Sequence, residues 1–200
     1  PAFLYGGLQG RNTELAQKAA GHDLRGATNY FRFDSLGLSV PMQALVDYRG
    51  FRLIAMPFLP LKKDGLIYGS DNCGVDVYAV KPGFNRIMKE VAAELHLAEH
   101  MVQGKVLHAA GDVEGHLGSD GRYYLLDLAR TFPPESPLDC EHLPVRGQPM
   151  FYRLLRPEYL LIRKQQGLDA LSPDALTGWS RGQPDEALHN ARARKATLYL

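Results

Sequence analysis

The chain has 200 residues, 45% of them apolar, with 23 Lys and Arg set against 22 Asp and Glu. That composition supplies core material for one compact domain and excludes a disordered chain. A formal charge of +1 gives no long-range pull on polyanions, so RNA or anionic-lipid binding would need a local basic patch, and DNA binding is not expected.

The sequence contains no apolar run long enough to span a bilayer, and its first residues lack the blocks of a secretory signal, so a cytoplasmic chain without membrane insertion is expected. Cys73 and Cys140 lie far apart with no Cys-x-x-Cys or Cys/His ligand spacing, which points to reduced thiols rather than a disulfide framework or a structural zinc site. An opening Pro1 fits either a trimmed initiator Met or a piece of a longer polypeptide.

In chain order, an Asn-Thr cap followed by Ala16, Ala20, Leu24, Ala27 and Phe31 predicts an amphipathic helix over 12–31, which Gly21 and Gly26 each weaken, so that Gly21 is the place where it could break. The run Tyr30-Phe31-Arg32-Phe33 continues the helix stripe and reads as core packing before it reads as a base-stacking surface. Segments 42–48 and 51–59 are rich in β-formers and joined by Arg49-Gly50, the composition of an antiparallel hairpin that ends at Pro57 and Pro60. A polar loop is expected over 67–76, then a short strand over 75–80. Ile87, Val91, Leu95 and Ala98 predict a helix over 84–101. Residues 106–110 form a short apolar stretch, 111–122 read as a loop with an Asp120-Gly121 turn, and 123–127 as a strand. Five prolines between Thr131 and Pro149 suggest an extended surface connection. Short helices are expected over 153–166 and 173–179, and a basic helix over 185–198.

Chemistry concentrates where Asp112, Glu114, His116, Asp120 and Asp127 fall within 16 residues. Carboxylates on a loop and at a strand end suit phosphate-bound Mg²⁺, which takes one or two protein carboxylates and fills the rest of its shell with substrate oxygens and water. Asp112 and Glu114 are therefore candidate catalytic groups, His116 and Arg130 candidate ligand contacts, and Asp127 a candidate Mg²⁺ ligand. Asp127 equally suits an ion pair with Arg130, Arg153 or Arg156, and Asp120 in Ser-Asp-Gly-Arg suits a plain turn. His96-Leu97-Ala98-Glu99-His100 spells an inverted zinc-protease motif, yet the charged residues around it favour an ordinary solvated helix face.

The order of helix, hairpin, proline-ended strand, long helix, acidic loop and strand-end Asp in Leu126-Asp127-Leu128-Ala129 resembles the protein kinases and their lipid-kinase relatives. That resemblance implies an atypical phosphotransferase or nucleotide-binding pseudokinase using Mg²⁺ and ATP. The chain lacks the Val-Ala-x-Lys strand and the His-Arg-Asp loop, and Gly6-Gly7-Leu8-Gln9-Gly10 is a weak phosphate loop.

A second resemblance is more specific. The blocks Lys18 to Ala27, Leu45 to Ala55 with Leu59-Pro60, Ile67 to Ser70, Asp112 to Arg130 with Phe132 to Glu135, Leu154 to Glu158 and Leu171 to Ala175 are similar, in order, to the Clu domain of the clustered-mitochondria proteins. This resemblance implies a single α+β Clu-like domain over 1–200, mainly sheet plus one helix to residue 80 and mainly helical beyond, with a degraded kinase-like two-lobe arrangement as the alternative. It implies a cytoplasmic interaction module, linked to mitochondrial distribution, with protein partners and RNA or ribosome-associated complexes. The family's flanking regions and repeat-rich C-terminal part are absent from this chain.

Overall fold

A computed structural model describes residues 13–49, 51–138, 153–180 and 182–200. Helix α1 (Thr13–Tyr30) is the predicted helix, continuous through Gly21, and runs on into a 3-10 turn over Phe31–Leu36. Its buried stripe is Ala19, Ala20, Asp23, Ala27 and Tyr30, so one carboxylate replaces an apolar side chain on the inner face. Of the aromatic run, Tyr30 and Phe33 point inward and Phe31 faces solvent. Gly37, at φ 82°, ends the turn with its N–H donating to the Asp34 carbonyl.

The main sheet has five strands in the order β1 (Leu38–Ser39), β9 (Tyr123–Leu126), β8 (Glu114–Gly118), β4 (Leu61–Gly69) and β5 (Tyr78–Ala79). The β1–β9 pair is parallel and the other pairs antiparallel. The expected hairpin is present as β2 (Ala44–Tyr48) and β3 (Phe51–Ala55), with Tyr48 opposite Phe51 and Arg49 at φ 46°, the left-handed backbone that a tight hairpin turn requires. A second hairpin joins β6 (His100–Val102) to β7 (Lys105–Leu107).

Three expectations fail here for physical reasons. The stretch 67–76 is not wholly loop, because Ile67, Tyr68 and Gly69 end the central strand β4. Likewise 114–118 is strand β8 rather than loop, its glycines serving close packing: a Cβ on Gly115 would lie 2.5 Å from the Phe84 ring. Helix α2 (Pro82–Leu95) stops six residues short of the predicted end, where His96 takes a left-handed conformation at φ 57°. The chain then turns into β6, so His96 and His100 never share a helix face and the zinc-protease spelling has no geometric content.

The C-terminal part holds α3 (Pro157–Gln165) and α4 (Pro184–Leu198), and a 3-10 turn at Gly178–Ser180 replaces the predicted helix over 173–179. Residues 81–200, expected to be mainly helical, also contribute β6 to β9. Strands from both stretches interleave in one sheet, so 1–80 and 81–200 do not separate into a sheet lobe and a helical lobe. The segment 131–136 is not a surface connection: Thr131, Phe132 and Ser136 are buried, and Pro134 bridges Leu154. Residues 139–149 of that proline-rich stretch, with Cys140, lie outside the described residues.

The core is built from α2 lying on the sheet, with Tyr68, Phe84, Met88, Leu107, Leu125 and Leu128 fully enclosed. Tyr68 and Tyr123 flank the Phe84 ring at centroid distances of 5.4 and 5.2 Å. Each such side chain removed from water contributes roughly 1.5–3 kcal/mol before conformational entropy is subtracted.

Candidate functional site

The β8–β9 hairpin places Glu114 opposite Leu126, so that Asp112 just before one strand and Asp127 just after the other come to the same end of the sheet. Asp127 has φ 53°, a left-handed conformation that Asp tolerates better than most residues. The chain there is clamped by α1. The buried Asp23 carboxylate accepts the Leu128 N–H at 2.8 Å, and Gly26 lets the helix approach so closely that a Cβ would stand 2.3 Å from the Leu128 carbonyl oxygen. Thr131 Oγ1 donates to that same carbonyl at 2.8 Å. The turn carrying Asp127 and Arg130 is thus fixed by a helix about a hundred residues earlier.

Arg130 lies at the centre of a buried ionic network. Its Nε donates to Asp112 Oδ2 at 2.6 Å and its Nη1 to Asp174 Oδ1 at 3.0 Å. Asp174, wholly buried, also accepts the Gly111 N–H at 2.6 Å and the Thr177 hydroxyl at 3.2 Å, with His100 Nε2 3.0 Å from its Oδ2. Burial disfavours ionisation of both partners, yet each stays charged. Against that burial, the Arg130 guanidinium and its other donors hold the Asp174 carboxyl well below the usual carboxylate range. The two carboxylates likewise offset the burial of Arg130 and push its pKa up.

Beside this network opens a cleft of about 690 Å³, lined by Asp71, Asp112, Glu114, Asp127, Arg130 and Trp179 among others. The size suits a small ligand or one or two side chains of a partner. Trp179, the single Trp of the chain, rests against two glycines, since a Cβ on Gly111 would fall 2.3 Å from the indole and one on Gly74 3.1 Å. The loop carrying Asp71 and Cys73 is tied by the Gly74 N–H to Ser70 Oγ at 3.0 Å and the Asp76 N–H to Asn72 Oδ1 at 3.0 Å. Gln103 Nε2 donates to the Gly74 carbonyl at 2.7 Å, and Glu186 of α4 accepts the Gly104 and Gln183 N–H groups.

Four sequence candidates, Asp112, Glu114, Asp127 and Arg130, therefore converge on one concavity. His116 does not line it; its Nε2 lies 2.9 Å from Glu114 Oε2 on the sheet. Asp120 is the turn former, accepting the Arg122 N–H at 3.1 Å and the Tyr124 hydroxyl at 2.7 Å. Among the described residues, no three His, Cys, Asp or Glu side chains are grouped so as to hold a metal ion. Asp23, Asp174 and Trp179 escape sequence reasoning. A carboxylate on the apolar stripe of α1 was a visible signal for the first, and the lone Trp for the last, whereas Asp174 sits in a Ser-Pro-Asp run that reads as an ordinary helix start.

Comparison with known proteins bears on these same residues. The profile of the family described as Clustered mitochondria matches residues 7–137, which includes Asp23, Gly26 and the whole Asp112 to Arg130 segment. The clustered mitochondria protein of Arabidopsis thaliana is 35% identical over 159 residues, 74% of this chain and 11% of its own length. The Homo sapiens homolog is 34% identical over 143 residues, 66% of this chain and 10% of that protein, and the clueless protein of Drosophila persimilis is 31% identical over 130 residues. The chain thus spans about a tenth of the length of the curated relatives it matches. No solved structure matches it. With well over half of its length under the family profile, and with the clamp and the acidic wall of the cleft inside that match, the chain belongs to the clustered mitochondria family.

Proposed function

We propose that this chain is an interaction module of a cytoplasmic protein that acts in mitochondrial distribution, with protein partners and messenger-RNA or ribosome-associated complexes. The observation that carries this reading is the family match over 7–137, which takes in the residues that clamp α1 to the cleft-bearing turn. Among the described residues no helix is long and apolar enough to cross a membrane. A segment swap tests the reading: the full chain, residues 1–200, replaces the corresponding segment of the Homo sapiens clustered mitochondria protein homolog, in cells lacking that protein. Normal spread of the organelle through the cell is expected. Collapse indistinguishable from that caused by deleting the segment would overturn the reading.

The convergence of Asp112, Glu114 and Asp127 on one cleft favours a second reading, a nucleotide site with Mg²⁺ on Asp127. Its cost is plain, because Asp112 is already spent on Arg130 and a triphosphate would face a largely anionic wall. Thermal melting with ATP and Mg²⁺ tests it, since a ligand bound only by the folded state at about a hundred times its Kd adds roughly 2.7 kcal/mol. A melt unmoved by saturating ATP and Mg²⁺ removes this second reading.

A further inference from the structure

We infer that the outward face of the β2–β3 hairpin, continued by Phe58 and the start of β4, docks on an anionic membrane surface. The two faces of the hairpin are told apart by their contacts. Gln43 Nε2 donates to Asp23 Oδ2 of α1 at 3.5 Å, Leu45 is half-buried, and Asp47 pairs with the opposite Arg52 at 2.7 Å, so the odd-numbered residues of β2 take the side of α1. The even-numbered residues point the other way. Met42, Val46 and Tyr48 are 78, 42 and 59% exposed, with Ala44 among them and Leu53 and Ala55 as cross-strand neighbours. A half-solvated antiparallel sheet normally turns polar side chains to water. Here the outward face from 42 to 48 carries no charged or amide side chain.

The apolar surface runs on past the hairpin. Met56, Phe58 and Leu61 are exposed, Phe58 completely, and Pro57 and Pro60 restrict the backbone on either side of that ring. The Pro60 carbonyl accepts the Ser119 N–H at 2.7 Å and the Ser119 hydroxyl at 3.1 Å, which anchors the segment to the β8–β9 turn. Phe58 is thus presented to solvent on a held backbone, so its insertion costs little conformational entropy. Charge selects the occupant. Residues 42–64 hold four cations and two anions, whereas the rest of the chain carries one net negative charge. Arg52 is neutralised by Asp47, but Arg49, Lys62 and Lys63 have no ion pair among the described residues, and the Arg49 guanidinium lies 5.3 Å from the Tyr48 ring centre. Cations beside exposed aliphatic and aromatic side chains match the two layers of an anionic lipid surface, headgroups and acyl chains. A single strand of RNA would stack on Tyr48 and Phe58 and leave Met42, Val46 and Met56 in water. A second copy of the chain would bring like charges together at the rim.

Sedimentation of the full chain with sucrose-loaded vesicles tests the inference, with phosphatidylcholine alone set against phosphatidylcholine and phosphatidylserine at about two to one. The mixed vesicles are expected to pellet the protein, pure phosphatidylcholine to bind it at least about fivefold more weakly, and added salt to loosen the complex. Phe58→Ser and Tyr48→Ser should each lower the partition coefficient about fivefold or more, since each withdraws a large apolar side chain from the acyl phase. Lys62→Gln combined with Lys63→Gln should lower it about tenfold. Leu161→Ser on α3 and Leu188→Ser on α4, also exposed but on other elements, should leave it unchanged. Circular dichroism melts establish which variants are folded, and Tyr48 and Phe58 lie in different segments, so either carries the test if the other variant does not fold. A folded parent that stays in the supernatant with mixed vesicles, equal pelleting by pure phosphatidylcholine, or an equal loss in Leu161→Ser would each overturn the inference. So would oligouridylate binding, or self-association in the ultracentrifuge, that Phe58→Ser abolishes, because either gives this surface a different occupant.

Discussion

Asp174 and Asp23 are both buried carboxylates, and their surroundings push them in opposite directions. Burial opposes ionisation of Asp174, but Arg130, His100 and the Gly111 N–H together outweigh it and its pKa falls below the ordinary 3.8. The unfolded chain therefore takes up that proton first. Its contribution to stability is complete above the ordinary carboxylate value and is lost as pH drops below about 4 toward the folded value. Asp174→Ala should cost roughly 3–5 kcal/mol at neutral pH, because it strands a buried guanidinium with half its counter-charge. Urea unfolding from pH 7 down to pH 3 checks both points: the parent should lose stability on acidification more steeply than the variant. Equal slopes would remove Asp174 as the source.

At Asp23 burial is the largest influence and raises the pKa, only partly countered by the Leu128 N–H and Gln43. A raised carboxyl pKa means that stability is fullest below the ordinary value and declines as pH rises through the folded one. Asp23→Asn keeps an oxygen for the Leu128 N–H, and its new amide can donate to Gln43 Oε1, a buried acceptor that lacks a partner. The substitution should therefore stabilise the neutral-pH protein by about 0.5–1.5 kcal/mol. A denaturation midpoint that falls instead would show that the charge itself is needed at the clamp.

At the scale of elements, α1 offers a test by contrast, since its two glycines look alike in sequence and differ in structure. Nothing lies within 4 Å of a Cβ at Gly21, so Gly21→Ala should gain about 0.5–1 kcal/mol from helix propensity. A Cβ at Gly26 meets backbone and side chain of Leu128 at 2.3 and 2.7 Å, so Gly26→Ala should lose about 1–3 kcal/mol as the helix is forced off the turn. Chemical denaturation of the two variants side by side should give shifts of opposite sign, and shifts of the same sign would contradict the close approach.

That pair also marks what can be read locally. Helices α1, α2 and α4 and the β2–β3 hairpin follow from periodicity and turn composition, which are properties of neighbouring residues. Strand β4 does not, because Lys62-Lys63-Asp64-Gly65 has the composition of a turn and becomes strand only by pairing with β8. In β8 the two glycines erase the alternation a strand normally shows; each is small because an aromatic ring, Phe84 or Tyr124, occupies the space. The acidic wall from Asp112 to Asp127 is legible since it spans one hairpin, while Trp179 reaches the cleft, and Asp174 the Arg130 network beside it, from far along the chain, and nothing local to Asp174 marks it.

For the whole molecule, the family match ends at residue 137 while the physical unit does not. Asn190 of α4 is buried and makes a reciprocal pair with the backbone of Met101, accepting its N–H at 2.7 Å and donating to its carbonyl at 2.9 Å. Ser136 donates to the Leu198 carbonyl, Leu171 bridges Leu97 next to the end of α2, and Asp174 neutralises Arg130. Every one of these ties joins the matched part to residues beyond it, and several satisfy groups that are otherwise buried without a partner. We propose that 1–200 folds as one cooperative domain. A fragment of residues 1–137 would leave Arg130 with Asp112 alone and the Met101 backbone without Asn190, and would strip Leu97 of its Leu171 neighbour. Uncompensated buried charge alone costs about 3–5 kcal/mol, a large fraction of the roughly 5–15 kcal/mol that holds an ordinary domain folded. The fragment should therefore show no cooperative thermal transition by circular dichroism, whereas the full chain melts in a single step that Trp179 emission and far-ultraviolet ellipticity report at the same midpoint. A fragment melting cooperatively near the midpoint of the full chain would mean that the segment beyond 137 is an attachment to the domain and not part of it.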